Sequence, residues 1–338
     1  MLQWYMRWSR HPCRSCRCAC RLSRCVTSDQ WFGKSAQTSK SVHDTPPTHF
    51  PGFRHSWRQL GTTIFHTLAG PIIERVPFAT APDGVRLKYE VKGDGPPLVL
   101  HLGSGCDSTL WGSAGYAEPL SNSYRCVLFD HRGHGQSDRP RGAEANHINR
   151  YVADVIALLD HLELERVAFW GYSSAVGVGL KLAQEHPTRI SALVGSGSVS
   201  ERTQEQIVEM VARGVPEIRE YGWEKVIAGF DEQEAEPVPD WMKAQIRDTD
   251  IQQFLDWWVA MPNWNWRAWE ALPHVVAPTL FLTGELEDPD DQTAVAAARM
   301  PDGRRIRLDG LGHINAFLNS GRVLPHALGF LGLHAGQV

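Results

Sequence analysis

The stretch Val167-Ala168-Phe169-Trp170-Gly171-Tyr172-Ser173-Ser174-Ala175 constrains this chain more than any other part of it. Four apolar residues in a row read as a buried strand. A glycine then opens a turn, and residues 176–185 read as a helix that stops before Pro187. A strand that passes into a helix through so short a turn belongs to a layered α/β architecture.

The rest of the chain repeats that alternation. Residues 76–81 and 85–91 read as two strands joined by the Pro82-Asp83-Gly84 turn. Residues 98–102 and 126–129 are short apolar runs, as buried parallel strands are. Residues 148–162 carry Val152, Val155, Ile156, Leu158, Leu159 and Leu162 at helical spacing. Runs at 190–195, 278–283 and 305–308 complete the strand set. The expected fold class is α/β: an eight-stranded, mostly parallel open sheet with helices on both faces. Residues 200–272 interrupt the alternation and hold seven of the thirteen tryptophans. An aromatic helical insertion between two strands reads as a small cap over a pocket. Most of its tryptophans are expected to pack the insertion on the body, one or two sufficing for an apolar wall.

The first part of the chain reads differently. Five of the seven cysteines lie between Cys13 and Cys25, and the first thirty residues carry six arginines and one acid. Cys13 and Cys16 have the spacing of one zinc-ligand pair, but Cys18 and Cys20 are too close for a second, so no metal site is expected. Residues 1–74 are expected to be an extension outside the catalytic domain, disordered or a start upstream of the true one, with one short helix around residues 57–68. Residues 75–335 form the domain. The isolated Cys106 and Cys126 fit a reducing compartment. The expected location is therefore cytoplasmic, or organellar if the arginine-rich start is a transit peptide. The formal net charge of -4 argues against a nucleic-acid partner, and no apolar stretch is long enough for a membrane span.

The chemistry concentrates at the turn. Gly171-Tyr172-Ser173-Ser174-Ala175 is a G-x-S-x-A form of the nucleophile elbow, in which a strand-to-helix turn lifts the serine above the sheet. Ser173 is the candidate nucleophile. His313, in Gly310-Leu311-Gly312-His313 near the C-terminal end, is the candidate base, matching a Ser…acid…His chain order. The acid belongs to Glu285-Leu286-Glu287-Asp288-Pro289-Asp290; Asp288 is the first choice and Glu287 the alternative. Backbone N–H groups of Ser174 and Ser104, the latter in Leu102-Gly103-Ser104-Gly105, are the candidate oxyanion donors.

Together with Asp130-His131-Arg132-Gly133-His134-Gly135-Gln136-Ser137-Asp138, these motifs make residues 75–335 resemble the α/β-hydrolase superfamily, in its serine-nucleophile esterase, lactonase and cofactor-free haloperoxidase-like branch. His131 and His134 read as structural parts of that loop. The resemblance implies hydrolysis of a carboxylic ester or lactone through an acyl-enzyme, without metal or organic cofactor. The substrate is expected to be a small molecule, apolar or aromatic given the tryptophans. Carbon–carbon bond hydrolases and perhydrolases share such a triad, and a slow-turnover ligand receptor on the same fold stays open. Epoxide hydrolases and haloalkane dehalogenases of the fold use aspartate where this chain has Ser173.

Overall fold

The computed structural model describes residues 76–336, and the readings made above for residues 1–74 lie outside them. Eight strands form one sheet: β1 (Phe78–Thr80), β2 (Arg86–Lys92), β3 (Pro97–His101), β4 (Arg125–Phe129), β5 (Val167–Tyr172), β6 (Ile190–Ser196), β7 (Thr279–Gly284) and β8 (Gly303–Leu308). Their order is β1-β2-β4-β3-β5-β6-β7-β8. β1 and β2 pair antiparallel, as do β2 and β4; every other neighbouring pair is parallel. Every residue of β5, β6 and β7 is buried. Side chains alternate between faces along a strand, so both faces of the sheet centre are covered.

The main helices of the body are α1 (Ile148–His161) and α2 (Ala175–Glu185). Four more follow β6: α3 (Gln204–Tyr221), α4 (Trp223–Asp231), α5 (Asp240–Arg247) and α6 (Ile251–Ala260). The chain then returns to the sheet, with α7 (Gln292–Ala298) between β7 and β8, and α8 (His313–Leu318) and α9 (Ser320–His334) after β8. α3 starts at a capping box: Thr203 Oγ1 accepts the Gln206 N–H at 3.3 Å, and Gln206 Oε1 accepts the Thr203 N–H at 2.9 Å.

The loop after β4 is a buried brace. Arg132, wholly buried, donates to both Asp154 oxygens at 2.7 and 2.5 Å and to Asp83 at 2.9 and 3.3 Å. Asp130 accepts the N–H groups of Ser108 and Gln136, each at 2.9 Å. His134 Nε2 accepts the Gly105 N–H at 2.9 Å, which ties this loop to the one after β3. His101 stacks on His131, and His134 packs against His131 at a tilt; burial holds all three below the usual imidazole range, hence neutral. His131 and His134 thus pack and brace. Among the described residues no group of three or more histidine, cysteine or carboxylate side chains is placed to hold a metal ion.

Candidate active site

β5 ends at Tyr172 and α2 begins at Ala175, leaving Ser173 and Ser174 to make the turn. Ser173 has φ 61°, a left-handed conformation that a side-chain-bearing residue adopts only where its surroundings force it. The turn is tight enough that a Cβ on Gly171 would fall 2.6 Å from the Ala175 carbonyl oxygen. A Cβ on Gly103 would fall 2.6 Å from that of Ser173. Both positions exclude any side chain, which is why glycine stands at each.

Ser173 Oγ lies 3.0 Å from His313 Nε2, and His313 Nδ1 lies 2.7 Å from Glu287 Oε2. The partners assign the tautomer: Nδ1–H donates to the carboxylate, and Nε2 accepts from the serine hydroxyl. His313 is 2% exposed and Glu287 3%. Burial holds the imidazole below its usual range, although Glu287 pulls the other way. Burial also opposes the charge on Glu287, but His313 and the Gly284 N–H outweigh it and the carboxyl is held below its usual range. Neutral base and ionised acid are thus the resting states. The ring stacks on Tyr172 at 5.0 Å between centroids and faces Phe230 at 6.2 Å, nearly parallel to both. Those two rings fix the plane in which His313 meets the serine.

The carboxylate that reaches the histidine is therefore Glu287 rather than Asp288. β7 ends at Gly284, whose N–H is accepted by Glu287 Oε1 at 2.9 Å, so the turn folds Glu287 back toward the sheet. Asp288 points to α7 and accepts the N–H groups of Gln292 and Thr293 at 3.0 and 2.8 Å. It satisfies helix donors that would otherwise lack partners.

Ser104 and Ser174 meet beside Ser173. The Ser104 N–H donates to Ser174 Oγ at 3.0 Å. The Ser174 N–H stands at the start of α2, where the helix dipole favours negative charge.

Two features escaped the sequence reading. Glu234, in the loop after α4, accepts the N–H groups of Gly312, Ile314 and Asn315 at 3.1, 2.6 and 3.2 Å. It thereby holds the start of α8, where His313 sits. Burial pushes its carboxyl up to about 7, against the pull of those three donors. Secondly, Ser173 and His313 open on a cavity of about 160 Å³ whose wall includes Trp257, Trp258, Trp264, Trp266 and Trp269. Five of the seven insertion tryptophans thus line the cavity, more than the one or two that would suffice for an apolar wall. Of the others, Trp223 lines a small pocket beside Ser104 and Trp241 is exposed.

A sheet of this order carrying a serine on a strand-to-helix turn defines a class, the hydrolases of the α/β fold. Residues 96–320, well over half of the chain, match the family model described as alpha/beta hydrolase fold, and the chain belongs to that family. The 2-hydroxymuconate semialdehyde hydrolase of Pseudomonas sp. (strain CF600) is 36% identical over 116 residues, which are 34% of this chain and 41% of the relative. The non-heme haloperoxidase of Rhodococcus erythropolis is 33% identical over 128 residues, 37% of this chain and 44% of the relative. The chain thus spans less than half the length of these curated relatives. A hydrolase from Pseudomonas aeruginosa superposes with a TM-score of 0.66 at 26% identity, covering 77% of this chain and 99% of the other. A thermophilic esterase from Thermogutta terrifontis superposes at 0.68 with 20% identity and the same coverage, a likeness of fold alone. No helix among the described residues is long and apolar enough to cross a membrane.

Proposed function

We propose that the chain hydrolyses small carboxylic esters or lactones through an acyl-enzyme on Ser173. His313 Nε2 takes the hydroxyl proton as Ser173 Oγ attacks the carbonyl carbon. The oxyanion settles against the N–H groups of Ser104 and Ser174, displacing the Ser174 hydroxyl. His313 then hands its proton to the departing alkoxide. In the second half water attacks the acyl-enzyme, gives its proton to His313, and the acid leaves as Ser173 recovers its own. Glu287 holds the tautomer and faces the imidazolium that forms.

What carries this reading is the unbroken line from Ser173 Oγ through His313 to Glu287, with contacts of 3.0 and 2.7 Å. The helical insertion acts as a cap that excludes water from the cavity. A space of about 160 Å³ suits a group the size of a benzene ring. The test is a panel of p-nitrophenyl esters of rising chain length, with lactones alongside. Short acyl groups are expected to turn over and long ones to be refused; no turnover of any by folded protein would defeat the proposal. The 2-hydroxymuconate semialdehyde hydrolase relative supports a second reading, carbon–carbon hydrolysis by the same groups. Cleavage of a diketone with refusal of every ester would favour it.

A further inference from the structure

The cavity beside Ser173 is lined by two arginines, Arg202 and Arg267, and by no aspartate or glutamate. The two arginines differ in how they are held. Arg267 Nη1 is tied back to the wall, donating to the carbonyls of Trp264 and Trp266 at 2.6 and 2.8 Å, and the exposed Glu205 lies within its electrostatic reach. Among the described residues Arg202 has no such ties. Its Nε is buried without an acceptor, and among the described residues no carboxylate pairs with its guanidinium.

Several other arginines withdrawn from water among the described residues do have a counterion. Arg132 has Asp83 and Asp154, Arg189 has Asp160, Arg305 has Asp291 and Arg307 has Glu285. Burial lowers Arg202 to about 10 with nothing to offset it, and at neutral pH the group is still a cation. A buried charge without a partner is costly, and folded proteins pair it or bind something that does. Ser198 and Ser200 line the same wall and add hydroxyl donors beside it.

We propose that Arg202 is the anchor for a carboxylate on the substrate, so that the natural ester or lactone carries a free carboxyl group a few bonds from the carbonyl that Ser173 attacks. The inference rests on the reading of Ser173 given above. A cavity of about 160 Å³ is small enough for both groups to bear on one short molecule. A guanidinium presents a planar fork that matches a carboxylate with two parallel hydrogen bonds. The tryptophans cover the apolar stem between the two ends. Arg202 is then a specificity-determining residue, acting on which molecule is held and not on the proton transfers.

The test compares p-nitrophenyl butyrate with mono-p-nitrophenyl succinate, similar in size and differing by one charge. The wild-type enzyme is expected to prefer the succinate in kcat/KM, and Arg202→Gln to lower the succinate-to-butyrate ratio by about 10- to 100-fold, the worth of a charge-assisted contact. Arg202→Lys should recover part of that ratio, since it keeps the charge and loses the fork. A second readout needs no turnover: glutarate should change the tryptophan fluorescence of the wild-type protein at concentrations that leave Arg202→Gln unmoved. An unchanged ratio in Arg202→Gln, or equal loss on both esters, would overturn the proposal, as would glutarate binding alike to both proteins. If the serine reading alone were wrong, neither ester would react, yet glutarate would still distinguish the two proteins.

Discussion

Two neighbouring carboxylates with different surroundings make opposite predictions. Glu287→Gln keeps the shape and removes the charge 2.7 Å from His313 Nδ1. The amide can turn its NH₂ toward Nδ1, which strands the proton on Nε2 and leaves Ser173 without a base. Even with the right tautomer, the imidazolium loses its counter-charge in a buried site. The same change in a serine protease triad lowers turnover about 10⁴-fold, about 5 kcal/mol in the barrier. Asp288→Asn instead weakens the cap of α7, where two N–H groups are accepted at 3.0 and 2.8 Å. That costs about 1 kcal/mol of stability, a fall in Tm of about 2–4 °C in a domain of this size. Steady-state ester kinetics and thermal unfolding on both variants separate the effects. Glu287→Gln should lose activity and keep its Tm within a few degrees, while Asp288→Asn should lose Tm and keep most of its turnover. The reverse assignment, with Asp288→Asn inactive and Glu287→Gln active, would refute the placement of the acid.

Glu234→Gln tests the contact that holds the His313 loop. Its folded value of about 7 exceeds the ordinary glutamate value, so its protonation adds stability that is present at acid pH and lost as pH rises through about 7. Allowing for its partial exposure, urea unfolding at pH 5.5 and 8 should show the variant gaining about 1 kcal/mol on the wild type over that interval; no relative change would refute the shift. For the reaction itself, burial holds His313 below its usual range, and the neutral ring is the working base. The kcat/KM profile should therefore fall only as pH drops below the usual histidine range, and an acid limb centred above it would contradict that state.

The sheet was legible because buried parallel strands are apolar runs with little else in them, as at Leu98-Val99-Leu100 and Val167-Ala168-Phe169-Trp170. β8 was harder to bound: as an edge strand it carries Arg304, Arg305 and Arg307, and it begins at Gly303, ahead of the run at 305–308. Ser173 and His313 could be named from motif and chain order, and the structure brings them together. The acid could not be chosen between adjacent carboxylates, because the choice depends on how the Gly284 N–H folds the turn onto Glu287. Glu234 meets its partners across 78 to 81 positions, a pairing that no local spacing reveals. Which tryptophans face the cavity depends on how α6 and the segment after it lie over the sheet, and their number in the sequence does not show it.

The central claim is that Ser173 is an activated nucleophile. A neutral fluorophosphonate probe, followed by peptide mapping of the adduct, measures this directly. One adduct is expected, on the peptide that holds Ser173, absent in Ser173→Ala and formed far more slowly in His313→Ala, because a serine hydroxyl without its base is a weak nucleophile. Labelling of Ser173→Ala at the wild-type rate would contradict the account.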